Sequence, residues 1–179
     1  MKAQIIPLAI ALLLTTSCTS NQSSSTQKDT TAATSNATDN KEAMEEKNKA
    51  TALASIQGFN THSVDQIFKD AAPDMIDYGD GTDAGLKGRD SIKALMKDFF
   101  TSFPDMKGEN LLALADGNKV VVFGDWSGTF KGEFMGKKPT GKSFKFKDAD
   151  LYTFNDAGQI IEHRGVQNMS VFWAQVGAK

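Results

Sequence analysis

The chain reads as an α+β domain in which N-terminal helices pack on one face of an antiparallel sheet. Three observations predict this: apolar residues recur at helical spacing up to Pro104, the period then changes to two, and the later strand-like runs follow one another directly. Residues 42–60 lack Pro and place Leu53, Ile56 and Phe59 on a partly periodic stripe, the first helix. Ser63-Val64-Asp65-Gln66 has the form of a capping box before a short helix through about Lys69, with His62 in the loop ahead of it. A strand covers Met75 to Tyr78. After Gly88, residues Ile92, Leu95, Met96, Phe99, Phe100 and Phe103 form one continuous apolar helix face. Pro104 ends that helix, because proline disfavours the helical conformation of the residue before it. Leu111 to Leu114, Val120 to Phe130, Phe144 to Phe154 and Ile160 to Phe172 then read as four strands. Asp116-Gly117-Asn118, a glycine-rich connection and Asn155-Asp156-Ala157-Gly158 separate them.

Ahead of this domain the sequence has a different character. Lys2 and the apolar run Ile5 to Leu14 follow the order of a secretory signal, and the run is too short to span a bilayer, which takes about twenty residues. Cys18, the only cysteine, follows Leu14-Thr15-Thr16-Ser17, and the stretch resembles a bacterial lipobox with Thr15 where Leu is usual. We therefore expect a lipoprotein signal peptide over residues 1–17 and lipidation of Cys18. Residues 18–41 follow as a Ser/Thr/Asn-rich flexible tether, too polar to offset its ordering entropy, and residues 42–179 form one domain. The expected location is the bacterial cell envelope, anchored to the membrane through the N-terminal lipid, with Thr19 after the cysteine favouring the outer membrane.

Composition narrows the function. The formal net charge is −2, and removing residues 1–17 takes away Lys2 and no acid, so the surface lacks the basic footprint of a nucleic-acid binder. A lone cysteine excludes an internal disulfide and a thiolate metal cluster. His62 and His163 are the only histidines, and neither a metal site nor a cofactor is expected. Gly136-Lys137-Lys138-Pro139-Thr140-Gly141-Lys142-Ser143 fits the phosphate-binding expression G-x-x-x-x-G-K-[ST] letter for letter. That chemistry needs a helix after the loop, whereas Lys142 to Lys147 alternates charged and apolar residues as a strand does, so a long hairpin connection is expected instead.

A family resemblance lies in an ordered set of short pieces. These are Phe103-Pro104-Asp105-Met106, Gly128-Thr129-Phe130-Lys131-Gly132-Glu133-Phe134-Met135-Gly136, Pro139-Thr140-Gly141-Lys142, Ile161-Glu162-His163 and Gln175-Val176-Gly177. Together they resemble the SnoaL-like polyketide cyclases, or ester cyclases, of the NTF2-like superfamily. The resemblance implies a cone: a strongly curved antiparallel sheet closed by helices around an apolar pocket. Members often read Glu-His-Trp with an Asp four residues after the Trp as the acid/base group; here those positions hold Arg164 and Asn168. An amide has no titratable proton near neutral pH, so Asn168 cannot act as that acid/base.

Strand parity selects the other candidates. Phe144, Phe146, Asp148, Asp150, Tyr152 and Phe154 share one face, and Glu162, Arg164, Val166 and Asn168 share one face of the last strand. Asp150 is the better carboxylate for proton transfer, or else a structural carboxylate paired with Arg164 or a nearby lysine, and Asp148 is more peripheral. Glu162 and His163 point to opposite faces, and His163 reads more readily as a structural histidine than as a base. Trp126, Phe130, Phe134, Met135 and Tyr152, with Glu162 and Arg164, are the expected pocket wall. Trp173 belongs to sheet packing or a dimer surface. Three readings stand: a tethered module binding a small hydrophobic or aromatic molecule; an ester cyclase or isomerase moving a proton alpha to a carbonyl; and a non-catalytic interaction domain, homodimeric through its sheet face. Cys18→Ala is expected to abolish incorporation of a fatty-acid probe during growth and to release the protein from the membrane fraction; unchanged labelling would refute lipidation.

Overall fold

A computed structural model describes residues 30–79 and 83–177. The expected signal peptide of residues 1–17, Cys18 and the expected tether as far as residue 29 lie outside the described residues. Four helices and six strands follow in the order α1 (Thr30–Asn60), α2 (Val64–Ile67), β1 (Ala71–Asp77), β2 (Leu86–Lys87), α3 (Arg89–Ser102), β3 (Lys107–Asp116), β4 (Lys119–Thr129), β5 (Ser143–Phe154), β6 (Ile160–Gly165) and α4 (Met169–Val176). The strands form one sheet in the order β2-β1-β6-β5-β4-β3. All neighbours pair antiparallel except β1 and β6, which run parallel.

Two elements depart from the sequence reading. Helix α1 begins at Thr30, inside the segment read as tether. The stretch contains no Gly or Pro between Thr30 and Gln57, and extending an existing helix costs far less than nucleating one. The run Ile160 to Phe172 is not one strand: β6 stops at Gly165, and Asn168 starts α4 by accepting a hydrogen bond from Ser170 N–H at 3.1 Å. Gly177, at φ 65°, closes α4 in the left-handed conformation.

Helix α1 lies along β3 and is tied to it at two levels. Glu45 accepts from Gly117 N–H at the β3–β4 turn (2.6 Å), where Lys41 also pairs with Asp116 (3.1 Å). About four turns later Asn60 bonds the backbone of Gly108 in both directions, at 2.9 and 2.7 Å. Residues 38–44, ahead of the first tie, are all exposed.

The core around Phe103 is aromatic. Phe103 is 1% exposed and meets the rings of Phe99, Phe130, Phe134, Phe144 and Phe172 at centroid separations of 4.9 to 5.7 Å. Around it, the backbone is tied by polar contacts. Asp105 accepts from Thr129 N–H and Oγ1–H (2.8 and 2.7 Å), Ser102 donates to the Glu133 carbonyl (2.5 Å), and Thr140 donates to the Val176 carbonyl (2.7 Å). Gly132 sits so close to the end of α3 that a Cβ there would lie 2.8 Å from the Thr101 carbonyl oxygen. The segment Gly136 to Ser143 runs from a turn directly into β5, so no helix follows it to face a phosphate. Phe103→Ala should lower stability by about 3–5 kcal/mol, the usual cost of deleting a buried phenyl ring, read as a lower urea midpoint at unchanged m.

Candidate functional site

One face of β5 carries the polar groups of the interior. Asp148 and Asp150 are 6% and 8% exposed, and Tyr152 and Phe154 continue the same face, as alternation requires. Asp148 is therefore part of the interior and not peripheral. On β6 the alternation is interrupted: Phe154 pairs with Ile160 but Thr153 pairs with Glu162, so one extra residue bulges from the ladder. Every later side chain is thereby turned to the opposite face. His163 lies opposite Tyr152 and faces inward, while Glu162 opposite Thr153 and Arg164 opposite Leu151 face outward. Both were expected in the pocket, and the bulge removes them. The Arg164 guanidinium instead lies 4.1 Å over the Tyr78 ring and 3.5 Å from Asp83.

His163 is clamped between two carboxylates. Its Nδ1–H donates to Asp77 Oδ1 at 3.1 Å and its Nε2–H to Asp150 Oδ1 at 3.2 Å. Asp77 is brought beside it by the parallel β1–β6 register, and the same oxygen accepts from Gly79 N–H at 2.8 Å. Burial alone would lower the imidazole pKa; the hydrogen bonds and charges of Asp150 and Asp77 outweigh it and push the group up to about 10. Burial likewise opposes ionisation of Asp77, but the bond and charge of His163 hold it below the usual carboxylate range. Burial, then the negative charge of Asp150, raises Asp148 to about 6, against the weaker opposing pull of backbone N–H groups and the His163 charge. At neutral pH the clamp is thus an imidazolium shared by two carboxylates.

A cavity of about 570 Å³ opens beside the clamp. Asp77, Asp148, Asp150 and His163 line it together with Phe59, Met96, Phe99, Met106, Trp126 and Phe134, and the exposed Leu95 and Met135 stand at its rim. A recess of about 80 Å³ shares Phe59, Asp77, Met96, Trp126, Asp150 and His163 with it and extends past Tyr152, Ser55 and Met75. Trp126, Phe134, Met135 and Tyr152 thus line space as the sequence predicted. Phe130 does not: it is 0% exposed, packed on Phe103, Phe172 and Trp173. Trp173 packs on Phe172 and Phe134. Asn168 is an exposed helix cap and takes no part in the cavity. Among the described residues no group of three His, Cys, Asp or Glu side chains gathers as a metal site.

Sequence reasoning did not single out Asp77, although Met75 and Asp77 alternate on β1 as Asp150 and Tyr152 do on β5. It also missed Phe59, Met96 and Phe99, whose helical stripe reads as core and serves partly as wall.

Residues 49–176 match the SnoaL-like polyketide cyclase family. No curated protein matches the chain. Among solved structures, the chain is similar to AclR, a candidate hydroxylase from Streptomyces galilaeus, at 28% identity and a TM-score of 0.64, covering 74% of this chain and 97% of that one. IdmH, a candidate polyketide cyclase from Streptomyces antibioticus, is similar at 25% identity and a TM-score of 0.60, over 73% and 98% of the two chains. A candidate polyketide cyclase from Xanthomonas campestris pv. campestris shares the fold at 17% identity and a TM-score of 0.68, over 74% and 98%.

The clamp has a definite pH signature. His163 titrates above its ordinary 6.5, so its contribution to stability is complete below that value and is lost as the pH climbs toward 10. Asp77 titrates below its ordinary 3.8, so its contribution is present above that value and lost as the pH falls through its lower folded value. His163→Gln should cost roughly 3–5 kcal/mol at pH 7, the scale for removing one partner of a buried ion pair. It should also flatten the fall in melting temperature between pH 8 and 10; a variant with the wild-type pH profile would show that the clamp carries no charge.

Proposed function

The chain belongs to the SnoaL-like polyketide cyclase family, and on that premise we propose that it is an acid/base catalyst of the cyclase or isomerase type, acting on a small, largely apolar carbonyl compound. The observation that carries this reading is the buried Asp77–His163–Asp150 array in the wall of a cavity whose apolar lining is Phe, Met, Trp, Ile and Leu. Asn168 does not count against turnover, because its side chain is engaged in capping α4 and is not part of the cavity lining. His163 is held as a cation by both neighbours and so cannot serve as the base. Asp150 is the base: its Oδ1 is fixed by the imidazolium, which orients the carboxylate and leaves Oδ2 without a protein partner. In the step we propose, Asp150 takes the proton alpha to the carbonyl. The C–H bonding pair becomes the carbon–carbon double bond while the carbonyl π pair moves to oxygen, giving an enolate, and return of the proton to carbon regenerates the carboxylate.

A binding-only reading has one observation in its favour: both ring nitrogens of His163 are already engaged, as they are in a purely structural clamp. For the setting, we propose export, lipidation of Cys18 and an outer-membrane anchor; what supports this is the order of charged, apolar and small residues before Cys18. A homodimer through the sheet face is supported by Leu112, Leu114, Val121 and Phe123, which pair across β3 and β4 and are all exposed.

Deuterium exchange at the methyl ketone of 2-acetylnaphthalene, followed by proton NMR in heavy water, tests the acid/base reading. The wild type should accelerate exchange and Asp150→Asn should lose about a hundredfold or more of that acceleration. Binding of the ketone without accelerated exchange would establish the binding-only reading instead.

A further inference from the structure

Among the described residues, three buried side-chain polar atoms lack a hydrogen-bond partner: Asn48 Oδ1, Trp126 Nε1 and Asp150 Oδ2. Buried polar atoms are nearly always paired, because an unpaired one has given up its hydrogen bond to water without a replacement. Two of the three belong to residues that line both the cavity and its recess. One is an obligate donor and the other an acceptor, so the wall offers complementary unmet demands.

The indole is also held rigidly. Phe59 meets its ring edge-on at 5.1 Å and 88°, and its six-membered ring lies on the backbone of Gly108, where a Cβ would come within 3.2 Å of three of its carbons. A fixed, buried N–H with no protein acceptor is the arrangement that stabilises charge developing on a ligand oxygen, because no reorganisation is needed when the charge forms.

We propose that Trp126 Nε1–H is the hydrogen-bond donor that anchors the acceptor oxygen of the bound molecule while Asp150 Oδ2 meets its proton-bearing side, so that the site selects an enolisable ketone or ester over a hydrocarbon of the same shape. This rests on the acid/base reading for the role of Asp150, but the anchoring of an oxygen by Trp126 can be measured without turnover. Phe59, Phe99 and Phe134 in the wall favour a flat aromatic body for that molecule.

The chain has two tryptophans, Trp126 and Trp173, so nitrogen-15 labelling gives two indole resonances, and Trp126→Phe assigns them. The probes are 2-acetylnaphthalene and 2-ethylnaphthalene, which differ in the carbonyl oxygen. The ketone should move the Trp126 indole proton downfield and bind at least tenfold more tightly than the hydrocarbon. Trp126→Phe should bring the two affinities within about twofold while retaining hydrocarbon binding, which shows that the cavity is intact. It should also lower ketone deuterium exchange about 10²–10³-fold, the scale for one oxyanion donor.

Equal affinity of the wild type for both probes would overturn the proposal. So would an indole proton already downfield in the free protein that returns upfield in Asp150→Asn, since Trp126 and Asp150 would then satisfy each other. Failure here with exchange still dependent on Asp150 removes Trp126 alone; a shifted indole with no exchange removes the acid/base reading and leaves the anchor standing.

Discussion

A cation can be kept inside an apolar cone only in the company of anions, and the placement of β1, β6 and β5 follows from that constraint. The three members of the clamp come from three strands that are neighbours in the sheet. Asp77 stands beside His163 through the parallel β1–β6 pairing, and Asp150 reaches it from the antiparallel β5. A slip of β6 by one residue would turn the imidazole outward and leave two carboxylates facing each other across a dry wall. The clamp therefore fixes strand register as well as supplying chemistry. It also leaves one uncompensated negative charge in the interior, which is felt by Asp148 and by the deeply buried Tyr152, whose pKa burial and then Asp150 raise well above its usual range.

The cone is divided between two kinds of aromatic side chain. Phe103, Phe130, Phe144 and Phe172 are buried and pack on one another by edge and face contacts. Phe59, Phe99, Phe134 and Trp126 present their rings to open space instead. The division is set by backbone ties at Ser102, Asp105 and Thr140, which draw the ends of α3, β4 and α4 together over the first group. The short pieces that carry the family resemblance are largely these ties, so they report the shape of the container more than the chemistry within it.

Most of the fold is visible in the sequence because each element obeys one dominant period. The stripe from Ile92 to Phe103, the cap at Ser63 and the alternation of β5 all follow that rule. What is not legible comes from single residues that break a period. The extra residue of β6 inverts the facing of Glu162, His163 and Arg164, and no local signal such as a glycine marks it. The end of β6 is marked, although the sequence reading passed over it: Met169, Phe172, Trp173 and Val176 fall at helical spacing between a capping Asn and a closing Gly. Reading them as strand continued the apolar character of the preceding run and mistook its period. Composition likewise placed the start of the first helix too late, because the first turns of α1 are polar and their helicity is inherited from the turns that follow.

The two ties between α1 and β3 fix a direction as well as a contact. The helix enters the fold at the Gly117 turn and finishes at Gly108, beside Met106 and the loop that carries Phe134 and Met135. Fifteen residues of helix precede Glu45, a rigid stand-off of roughly 20 Å. Residues 38–44 of the helix therefore stand exposed at the Gly117 end of the sheet, whereas Trp126, in the cavity wall, pairs with Gly108 toward the other end.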